Sequence, residues 1–494
     1  MEPQVPLEIR VQTKSLKKSQ LPEHHVVLAP TPGWAASLTS WLPSGQQEPP
    51  AGITTFRNPW PSWVKPNLTQ IWNNLQWGKD EPNPYVDLAT SHLGDLPADA
   101  VLLDPSTSPS FLDRAGWPNS ISAQAARLLR IEKPDLVFPQ NDSVQAKVTW
   151  LGHAGILLQL PSLAADSGHS RPLALLFDPI FSMRCSPSQS FGPIRSYRPP
   201  CQVSDLPTID GVFISHNHFD HLDADTIKAV WAENKDTVRF FVPLGNEKWF
   251  VEWGIPNDRV IEFDWWDSAT LTHPGSSASL KISCTPCQHS SGRAGTDPDA
   301  GLWSGWFLEH QRPGKRPYKM FFAGDSGYQF HESPDWPPSP DQGDETTVDE
   351  GQYPVCPAFA EIRDRLGSPQ LLLLPVSLGA TWSFLRSLTP VPDWLNPVPR
   401  YSSGIAAATH MPPWDAVRVM NLMTSKEENP PSKPVAIAIH WGTFVTEPVE
   451  VLQTLGQLEW ACQKQGVRFA RSLPDASPSD AHFVALNHGQ SVCT

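Results

Sequence analysis

Four side chains of types that bind metal ions stand within six residues of this sequence. They are His216, His218, Asp220 and His221, in the segment Ser-His-Asn-His-Phe-Asp-His-Leu-Asp. The apolar run Gly-Val-Phe-Ile before them is typical of a buried strand, and alternate residues at a strand end point the same way. His216 and His218 can therefore share one cation, while the turn directs Asp220 and His221 toward a neighbouring one. We interpret the segment as a metal site, because a structural polar turn has little use for four such ligands.

Three more candidate ligands follow later apolar runs. His289 comes after the run at 280–284, Asp325 stands in Phe-Phe-Ala-Gly-Asp-Ser-Gly, and His440 follows the run at 435–439. Each of them could be structural if it stood alone. Because all three fall where predicted strands end, we expect them to join the first four at one edge of a sheet. The glycines beside Asp325 permit a tight turn and a close approach of the backbone to the metal ions.

The elements that would position these residues begin at residue 147. From there, short apolar and β-branched runs alternate with turns and later with stretches of helical periodicity. This order predicts an α/β fold, a sandwich of two mixed sheets packed face to face with helices outside. The predicted strands are 148–151, 156–160, 173–177, 212–215, 239–242, 280–284, 320–323, 371–374 and 435–439, and the predicted helices are 224–234, 358–366, 414–423 and 449–463.

Composition divides the chain into three predicted parts. The first mixes proline, serine, glycine and glutamine without periodicity, which is typical of a flexible, loosely attached leader without chemistry of its own. The second is predicted to be an arm that packs on the core, with a helix at 67–77 and with Trp60 and Trp63 as buried aromatic residues. The third holds the candidate ligands. The parts are a leader at 1–55, an arm at 56–146 and a core domain at 147–494, with proline-rich loop insertions at about 329–355 and 383–403.

Charge and composition exclude some classes of protein. The 494-residue chain has 37 basic and 51 acidic side chains and a net charge of −14, so it offers no basic face in bulk for nucleic acid. Its 54 prolines, 21 tryptophans and 21 phenylalanines are typical of ordered loops and not of a helical bundle. We therefore expect no nucleic-acid partner.

Cysteine usage and hydropathy predict where the protein works. The seven cysteines are an odd number without a dense disulfide framework, and the first 184 residues have none, which favours a reducing compartment. The N-terminal residues lack the apolar core of a secretory signal, while mitochondrial targeting stays open. No apolar run approaches the roughly 18–20 residues of a membrane-spanning helix. We expect an intracellular protein that is cytoplasmic or lies on a membrane surface.

The candidate ligands and the order of elements resemble the metallo-β-lactamase superfamily. The resemblance implies the sandwich described above and two zinc ions per chain. Zinc accepts both imidazole and carboxylate ligands, so the donor set is chemically sensible. In the implied arrangement, His216, His218 and His289 hold one zinc, Asp220, His221 and His440 hold the second, and Asp325 bridges both.

Segments outside the ligands narrow the resemblance to the N-acylphosphatidylethanolamine-hydrolysing phospholipase D family. The most specific are Phe-Arg-Asn-Pro-Trp-Pro-Ser-Trp at 56–63 and Ala-Ile-His-Trp-Gly-Thr-Phe at 438–444. The resemblance covers about 55–494 and departs from the family in the leader and in both insertions. It implies hydrolysis of the distal phosphodiester bond of an N-acylated phosphatidylethanolamine, which yields phosphatidic acid and an N-acylethanolamine. Further similar segments are Val-Thr-Trp-Leu-Gly-His-Ala, Asp-Pro-Ile-Phe-Ser, Phe-Gly-Pro-Ile-Arg, Gly-Asp-Ser-Gly-Tyr and Cys-Pro-Ala-Phe-Ala-Glu-Ile.

The same resemblance implies catalytic roles and partners. Asp325 would hold the attacking hydroxide, Asp220 would accept its proton, and His410 corresponds to a family position near the substrate phosphate. The implied partners are a phospholipid substrate and a peripheral membrane surface, and a homodimer stays open.

Three hypotheses about function remain on the sequence alone. The first is the binuclear zinc phospholipase D. The second is a metal-dependent lactonase or phosphoesterase of a soluble metabolite on the same scaffold, since a fold does not fix a substrate. An apolar groove reaching the metal ions would favour the lipid, and convergent arginines and lysines would favour a sugar phosphate. The third, a metal-free scaffold or lipid-binding protein, is disfavoured because every expected ligand is present.

Three other features have competing interpretations. His153, between two predicted strands, could orient Asp220 or a ligand, or could be a structural histidine. Cys284 and Cys287 form a lone Cys-x-x-Cys, which is weak evidence for redox chemistry or zinc binding. A core position is favoured over a lipid-facing rim for four tryptophans, Trp265, Trp266, Trp303 and Trp306.

Overall fold

The chain folds mainly from β-strands that form two large sheets. The structure, a computed structural model, describes residues 7–12, 22–27, 54–77, 84–91, 120–164, 171–293, 297–333, 335–339, 352–378, 397–425, 433–445, 448–473 and 480–494. The strands in chain order are β1 Glu8–Gln12, β2 His25–Val27, β3 Thr54–Phe56, β4 Leu75–Gln76, β5 Lys147–Gly152, β6 Gly155–Leu160, β7 Leu173–Phe177, β8 Gly211–Phe213, β9 Arg239–Pro243, β10 Val260–Phe263, β11 Ser268–Thr272, β12 Ser279–Thr285, β13 Gly305–Gln311, β14 Tyr318–Phe322, β15 Leu371–Pro375, β16 Arg400–Tyr401, β17 Val435–Ile439, β18 Arg468–Ala470, β19 His482–Val484 and β20 Ser491–Cys493.

The helices lie between the strands in sequence. Among the described residues the α-helices in chain order are α1 Leu68–Asn73, α2 Pro84–Thr90, α3 Ser120–Leu128, α4 Ala224–Glu233, α5 Glu247–Glu252, α6 Ala358–Leu366, α7 Ser403–Ala406, α8 Pro413–Thr424 and α9 Val449–Lys464.

Both large sheets are mixed. The first has the strand order β10-β9-β8-β7-β6-β5-β20, in which β7 to β10 run parallel and the rest pair antiparallel. The second has the order β1-β11-β12-β13-β14-β15-β17-β19-β18, antiparallel from β1 to β14 and parallel beyond. As a result, β7 and β8 of one sheet and β12, β14, β15 and β17 of the other can present their carboxyl ends at one edge of the sandwich.

The core lies between the two sheets. Phe213 of β8 meets Trp306 of β13, with ring centroids 5.4 Å apart, and Phe177 of β7 meets Phe322 of β14 at 4.9 Å. The other face of the first sheet forms a second apolar cluster with α4, through Ile227 and other residues. The predicted sandwich of two mixed sheets with helices outside is therefore confirmed.

The predicted elements of the core domain agree with the structure. All nine predicted strands and all four predicted helices overlap elements found there. The predicted helix at 67–77 is too long, because α1 ends at Asn73, Asn74 caps it and Leu75–Gln76 form β4. Within 147–494, the strands β10, β11, β13, β16 and β18 to β20 and the helices α5 and α7 were not predicted.

The segments of the predicted leader that the structure describes, residues 7–12 and 22–27, contact the rest of the chain. The strand β1 pairs antiparallel with β11 at the edge of the large sheet, and β2 pairs with β3 of the arm. His24 is buried against Asp264. Of the two predicted insertions, residues 340–351 and 379–396 lie outside the described residues, while residues 400–401 form β16, which pairs with β4.

Candidate metal centre

The candidate ligands come from both sheets but collect at the edge where strands end. The first four follow β8, His289 follows β12, Asp325 follows β14 and His440 directly follows β17. All seven lie within clusters whose nitrogen and oxygen atoms are mutually close enough to hold metal ions. The sequence-derived expectation of one common edge is met by this geometry.

One group of donor atoms consists of three imidazoles. The Nε2 atom of His216 lies 2.9 Å from Nδ1 of His218, which lies 3.3 Å from Nε2 of His289. His216 and His289 are buried. Because three nitrogens point at one small volume, this group can hold a divalent cation.

The second group consists of one carboxylate and three imidazoles. Oδ2 of Asp220 lies 2.8 Å from Nε2 of His153, 3.5 Å from Nε2 of His221 and 3.6 Å from Nε2 of His440. His221 is completely buried, and Asp220 is partly exposed to the cavity above it. This group can hold a second cation.

Asp325 lies between the two groups. Its Oδ2 atom is 3.4 Å from Nε2 of His289 in the first group and 3.3 Å from Nε2 of His440 in the second. The loop that carries it packs tightly, because a side chain at Gly327 would overlap the Ala408 carbonyl. The sequence analysis expected the glycines beside Asp325 to let the backbone approach the metal ions. In the structure, Gly327 instead lets the loop pack closely against the backbone of the segment that leads to His410.

A buried carboxylate that the sequence analysis did not assign to the site fixes two of the ligands. Asp178 follows β7 and is fully buried. Its Oδ2 atom accepts hydrogen bonds from Nδ1 of His221, at 2.7 Å, and from Oγ of Ser215, at 2.6 Å. Oγ of Ser215 in turn lies 2.9 Å from Nδ1 of His216. With Nδ1 occupied in both histidines, each presents Nε2 to the cluster.

The arm holds a third ligand. The side-chain amide of Asn58 donates to the backbone carbonyl of His289 at 2.6 Å and accepts from its backbone N–H at 3.2 Å. Ser62 donates to the side chain of Gln288, which also donates to the Ala408 carbonyl. The arm is therefore more than a packing element, because it positions the loop that carries His289.

His153 is bound into the second group. Its Nε2 atom pairs with Asp220, and its backbone carbonyl accepts from the N–H of His440 at 2.9 Å. The backbone angle φ is +51° at His153, +59° at His440 and +38° at Asp178, a region that residues other than glycine rarely occupy. Backbone strain of this kind collects at functional sites, where the surrounding structure enforces it. Of the two interpretations of His153, the structure supports a residue that orients Asp220.

Charges inside the cluster set the protonation states. Burial opposes ionisation of Asp325, but the imidazoles of His410, His440 and His289 hold the pKa of its carboxyl well below the ordinary value. Burial and the neighbouring imidazoles lower the pKa of His216 well below 6.5. An ionised carboxylate and a neutral imidazole are the forms that bind metal ions.

Unsatisfied buried atoms test whether a metal ion fits. Nε2 of His221, Oδ1 of Asp325 and both ring nitrogens of His440 are buried and have no hydrogen-bond partner among the described residues. Such groups are rare in folded proteins and call for a partner. Since Nε2 of His221 and Nε2 of His440 point into the donor clusters, the residues fit a divalent metal centre.

A cavity of about 290 Å³ opens over the cluster. His218, Asp220, Asp325, His410 and His440 line its polar side. His410 follows α7, and its Nε2 atom lies 3.1 Å from Oδ2 of Asp325 while its side chain stays about one-quarter exposed. The remaining lining is mixed: Leu378, Trp441, Phe444 and Val445 are apolar, and Ser377, Glu450 and Thr454 are polar.

The remaining singled-out residues are structural. Cys284 and Cys287 are buried free thiols, and burial raises the pKa of each well above 9.0. Trp265, Trp303 and Trp306 are buried, as the core interpretation predicted, whereas Trp266 is half-buried and packs against the core.

Comparison with known proteins identifies the family. The Beta-lactamase superfamily domain matches residues 174–336. The chain is 30% identical over 336 residues to an uncharacterized protein of Mycobacterium tuberculosis, an alignment that covers 68% of this chain and 69% of that protein. It is 29% identical over 301 residues to a Caenorhabditis elegans protein named N-acyl-phosphatidylethanolamine-hydrolyzing phospholipase D 1, with 60% of this chain and 64% of the relative covered.

A yeast relative carries a similar name. The Saccharomyces cerevisiae protein named N-acyl-phosphatidylethanolamine-hydrolyzing phospholipase D, mitochondrial, is 28% identical over 295 residues, with 58% of this chain and 48% of that protein covered. With the donor clusters at the strand ends, these likenesses show that the chain belongs to the metallo-β-lactamase superfamily and is a metal-dependent hydrolase with relatives named as phospholipases D.

Proposed function

We propose that the protein is a binuclear zinc phosphodiesterase that hydrolyses N-acylphosphatidylethanolamine to phosphatidic acid and an N-acylethanolamine. The observation that carries the proposal is the cavity, which joins a two-group metal cluster to a set of apolar side chains, Leu378, Trp441, Phe444 and Val445. A phospholipid needs both features, because its phosphodiester is anionic and its chains are apolar. The names of the worm and yeast relatives support the same substrate.

The residues that would hold the metal ions divide as the donor groups do. When bound, two zinc ions would supply Lewis-acid chemistry, neutralising phosphate oxygens and lowering the pKa of water. Zinc suits the site because the donors are imidazoles and carboxylates. The first ion would be held by His216, His218 and His289, the second by Asp220, His221 and His440, and both by Asp325.

Side chains that line the cavity would position the attacking water, accept its proton and bind the phosphate. Asp325, central between both groups, would hold the attacking water in line with the phosphorus. Asp220, which is bonded to His153 and faces the cavity, would accept the proton of that water. His410 lines the cavity beside Asp325 and is about one-quarter exposed, so its ring N–H would donate to a phosphate oxygen when Asp325 binds the metal ions.

The wall of the cavity favours a lipid over a charged metabolite. Trp441 and Phe444 present aromatic surface next to the cluster. Within the described part of the chain, the lining residues include neither lysine nor arginine. A soluble sugar phosphate would be recognised by such cations. The alternative, a lactonase or phosphoesterase of a soluble metabolite, therefore has less support.

The proposal is tested by incubating a total lipid extract with the purified protein. Mass spectrometry should show loss of N-acylphosphatidylethanolamine and matching gains of phosphatidic acid and N-acylethanolamine. A parallel incubation with a chelator should show no change, because removal of the metal ions disables the site. Loss of a different species, or of none, would contradict the proposed substrate.

A hairpin beside the cavity exposes three apolar side chains, Met183, Phe191 and Ile194, which supports binding to a membrane surface. Arg184 and Ile194 form an antiparallel bridge, and Phe191 near the tip is 67% exposed. The base of this 183–194 hairpin is fastened to the cavity wall, because Ser196 donates to the carbonyls of Thr443, at 2.7 Å, and Val445, at 2.8 Å. None of the described helices is both long and apolar enough to cross a bilayer. We propose that the hairpin rests in the interface of the bilayer while the cavity draws in its substrate.

Replacing Phe191 with serine should weaken binding to phosphatidylcholine vesicles about tenfold. Burying an aromatic side chain contributes roughly 1.5–3 kcal/mol, and 1.4 kcal/mol corresponds to tenfold in affinity. A flotation assay at several lipid concentrations measures the change. Since the net charge is −14, the wild-type protein should stay bound in about 0.5 M salt, which screens charges strongly.

Val137 provides a matched control. It is 73% exposed, and its carbonyl accepts a hydrogen bond from Lys147. Lys147 is the first residue of β5, whereas His153 follows the last residue of that strand. Val137→Ser should leave vesicle binding unchanged. Equal losses in both variants, or complete release of the wild type by salt, would contradict binding through the hairpin.

A further inference from the structure

A second cluster of metal-binding side chains joins the leader to the core. Nε2 of His24 lies 2.7 Å from Oδ1 of Asp264, and Nε2 of His25 lies 2.8 Å from Oδ2 of the same carboxylate. Asp264 directly follows β10, in the short turn that leads to β11. The side chains of all three residues are about nine-tenths buried or more. The leader therefore brings two imidazoles to one buried carboxylate.

The arrangement of these rings resembles that of the candidate catalytic ligands. The ring centroids of His24 and His25 lie 4.6 Å apart at an interplanar angle of 71°. The corresponding values are 4.5 Å and 82° for His216 and His218. In both places the donor atoms lie within 4.8 Å of one another. Imidazole pairs that converge in this way are suited to a tetrahedral cation.

The surroundings of Asp264 hold the carboxylate in one orientation. Its backbone N–H donates to Oδ2 of Asp267 at 2.9 Å, and its own Oδ1 accepts from the N–H of Trp265 at 2.8 Å. Within the described residues, its ion pairs are both to histidines, which are neutral unless protonated. Burying an ionised carboxylate is costly unless its charge is offset, and a divalent cation bound between the carboxylate and the two imidazoles would offset it.

We propose that His24, His25 and Asp264 form a third metal site, which takes Zn²⁺ or a similar borderline divalent cation. The site offers two imidazoles and a carboxylate, and water completes the coordination. It is separate from the catalytic centre, since it shares no residue with those clusters. Its role is structural: the ion fastens the leader to the core.

The site is connected to the arm that positions His289. The ring of His24 stacks on Trp265 at 4.2 Å, and Trp265 stacks on Trp60 of the arm at 5.4 Å. The carbonyl of His24 also accepts from the N–H of Arg57 at 2.9 Å. The next residue of the arm is Asn58, whose side chain forms two hydrogen bonds with the backbone of His289. The third ion would therefore stabilise the arm in the position that supports a catalytic ligand.

Metal content tests the inference directly. The full-length protein is loaded with zinc and freed of loosely bound metal, and its zinc content per chain is measured by inductively coupled plasma mass spectrometry. The double variant His24→Ala/His25→Ala should contain about one zinc ion fewer per chain than the wild type, as should Asp264→Asn. Because the test compares the zinc content of the variants with that of the wild type, it depends neither on the identity of the substrate nor on how much zinc the catalytic centre holds.

Two further variants separate this site from the catalytic one. His273→Ala removes an exposed histidine that bonds to the carbonyl of its neighbour, and it should retain the full zinc content. His218→Ala should lose zinc from the catalytic centre, and adding the leader substitutions to it should remove about one more ion. Circular dichroism checks that each variant is folded.

A second measurement follows the leader itself. Limited proteolysis should cut the zinc-loaded wild type slowly near its N-terminus, and the double variant at least several-fold faster. Equal zinc content in the wild type and the folded double variant would overturn the inference and would identify the cluster as hydrogen-bonded only. That result would leave the proposed hydrolysis untouched, whereas absence of lipid hydrolysis would leave the zinc difference untouched.

Discussion

Asp325→Asn is expected to abolish nearly all hydrolysis while leaving the fold intact. The substitution keeps the shape of the side chain but removes the negative charge from the point where both donor groups meet. Its Oδ2 atom lies within 3.4 Å of His289, His410 and His440, so three imidazoles lose their shared carboxylate. If Lewis-acid stabilisation contributes several kcal/mol, kcat/KM should fall by roughly 10³-fold or more.

The measurement is kcat/KM on the lipid substrate, together with zinc content and circular dichroism. Asp236→Asn is the matched control, because Asp236 is exposed in the turn before β9 and its backbone carbonyl makes the contact with Arg259. The control should keep full activity. A folded Asp325→Asn protein that hydrolysed the substrate at the wild-type rate would show that Asp325 does not belong to the reacting centre.

The candidate metal centre could be predicted because its ligands stand at strand ends. Each of His216, His289, Asp325 and His440 follows an apolar run, and the strands that carry them end at the same edge. Such runs are a local signal that a single sequence contains. The close spacing of the first four ligands made the interpretation specific.

The residues that support the ligands could not be found in this way. Asp178 bonds to His221 across 43 residues, and Asn58 bonds to His289 across 231. Neither has a spacing that distinguishes it from an ordinary surface residue, and only the fold brings the partners together. The signal that was present, the Asn-Pro-Trp-Pro segment, pointed to the arm without showing what it holds.

The leader shows the same limit. The strand β1 alternates apolar and charged residues over a short stretch, and its partner β11 lies more than 250 residues later. Composition predicted a segment without its own core. It could not show that residues 8–12 would complete the edge of a sheet or that His24 would reach Asp264.

Hydrolysis in water enriched in heavy oxygen should place the label in phosphatidic acid and leave N-acylethanolamine unlabelled. In the proposed reaction, a water held beside Asp325 attacks phosphorus, and the bond from phosphorus to the ethanolamine oxygen breaks. The solvent oxygen stays on the phosphate, and the departing oxygen takes a proton to become the alcohol of N-acylethanolamine. The side-chain arrangement favours this outcome because His410 and Asp220 both face the cavity around Asp325.

Each competing reaction would give a different mass signature in the same assay. A phospholipase C would release diacylglycerol and label the phospho-N-acylethanolamine, since the other ester bond of the phosphate would break. An amidase or lactonase would place the label in a carboxylate, because water would attack carbon. Label in the N-acylethanolamine hydroxyl would mean that carbon and not phosphorus is attacked, which the cluster of ligands around Asp325 does not favour. The masses of the products formed in labelled water therefore identify both the bond that breaks and the atom that water attacks.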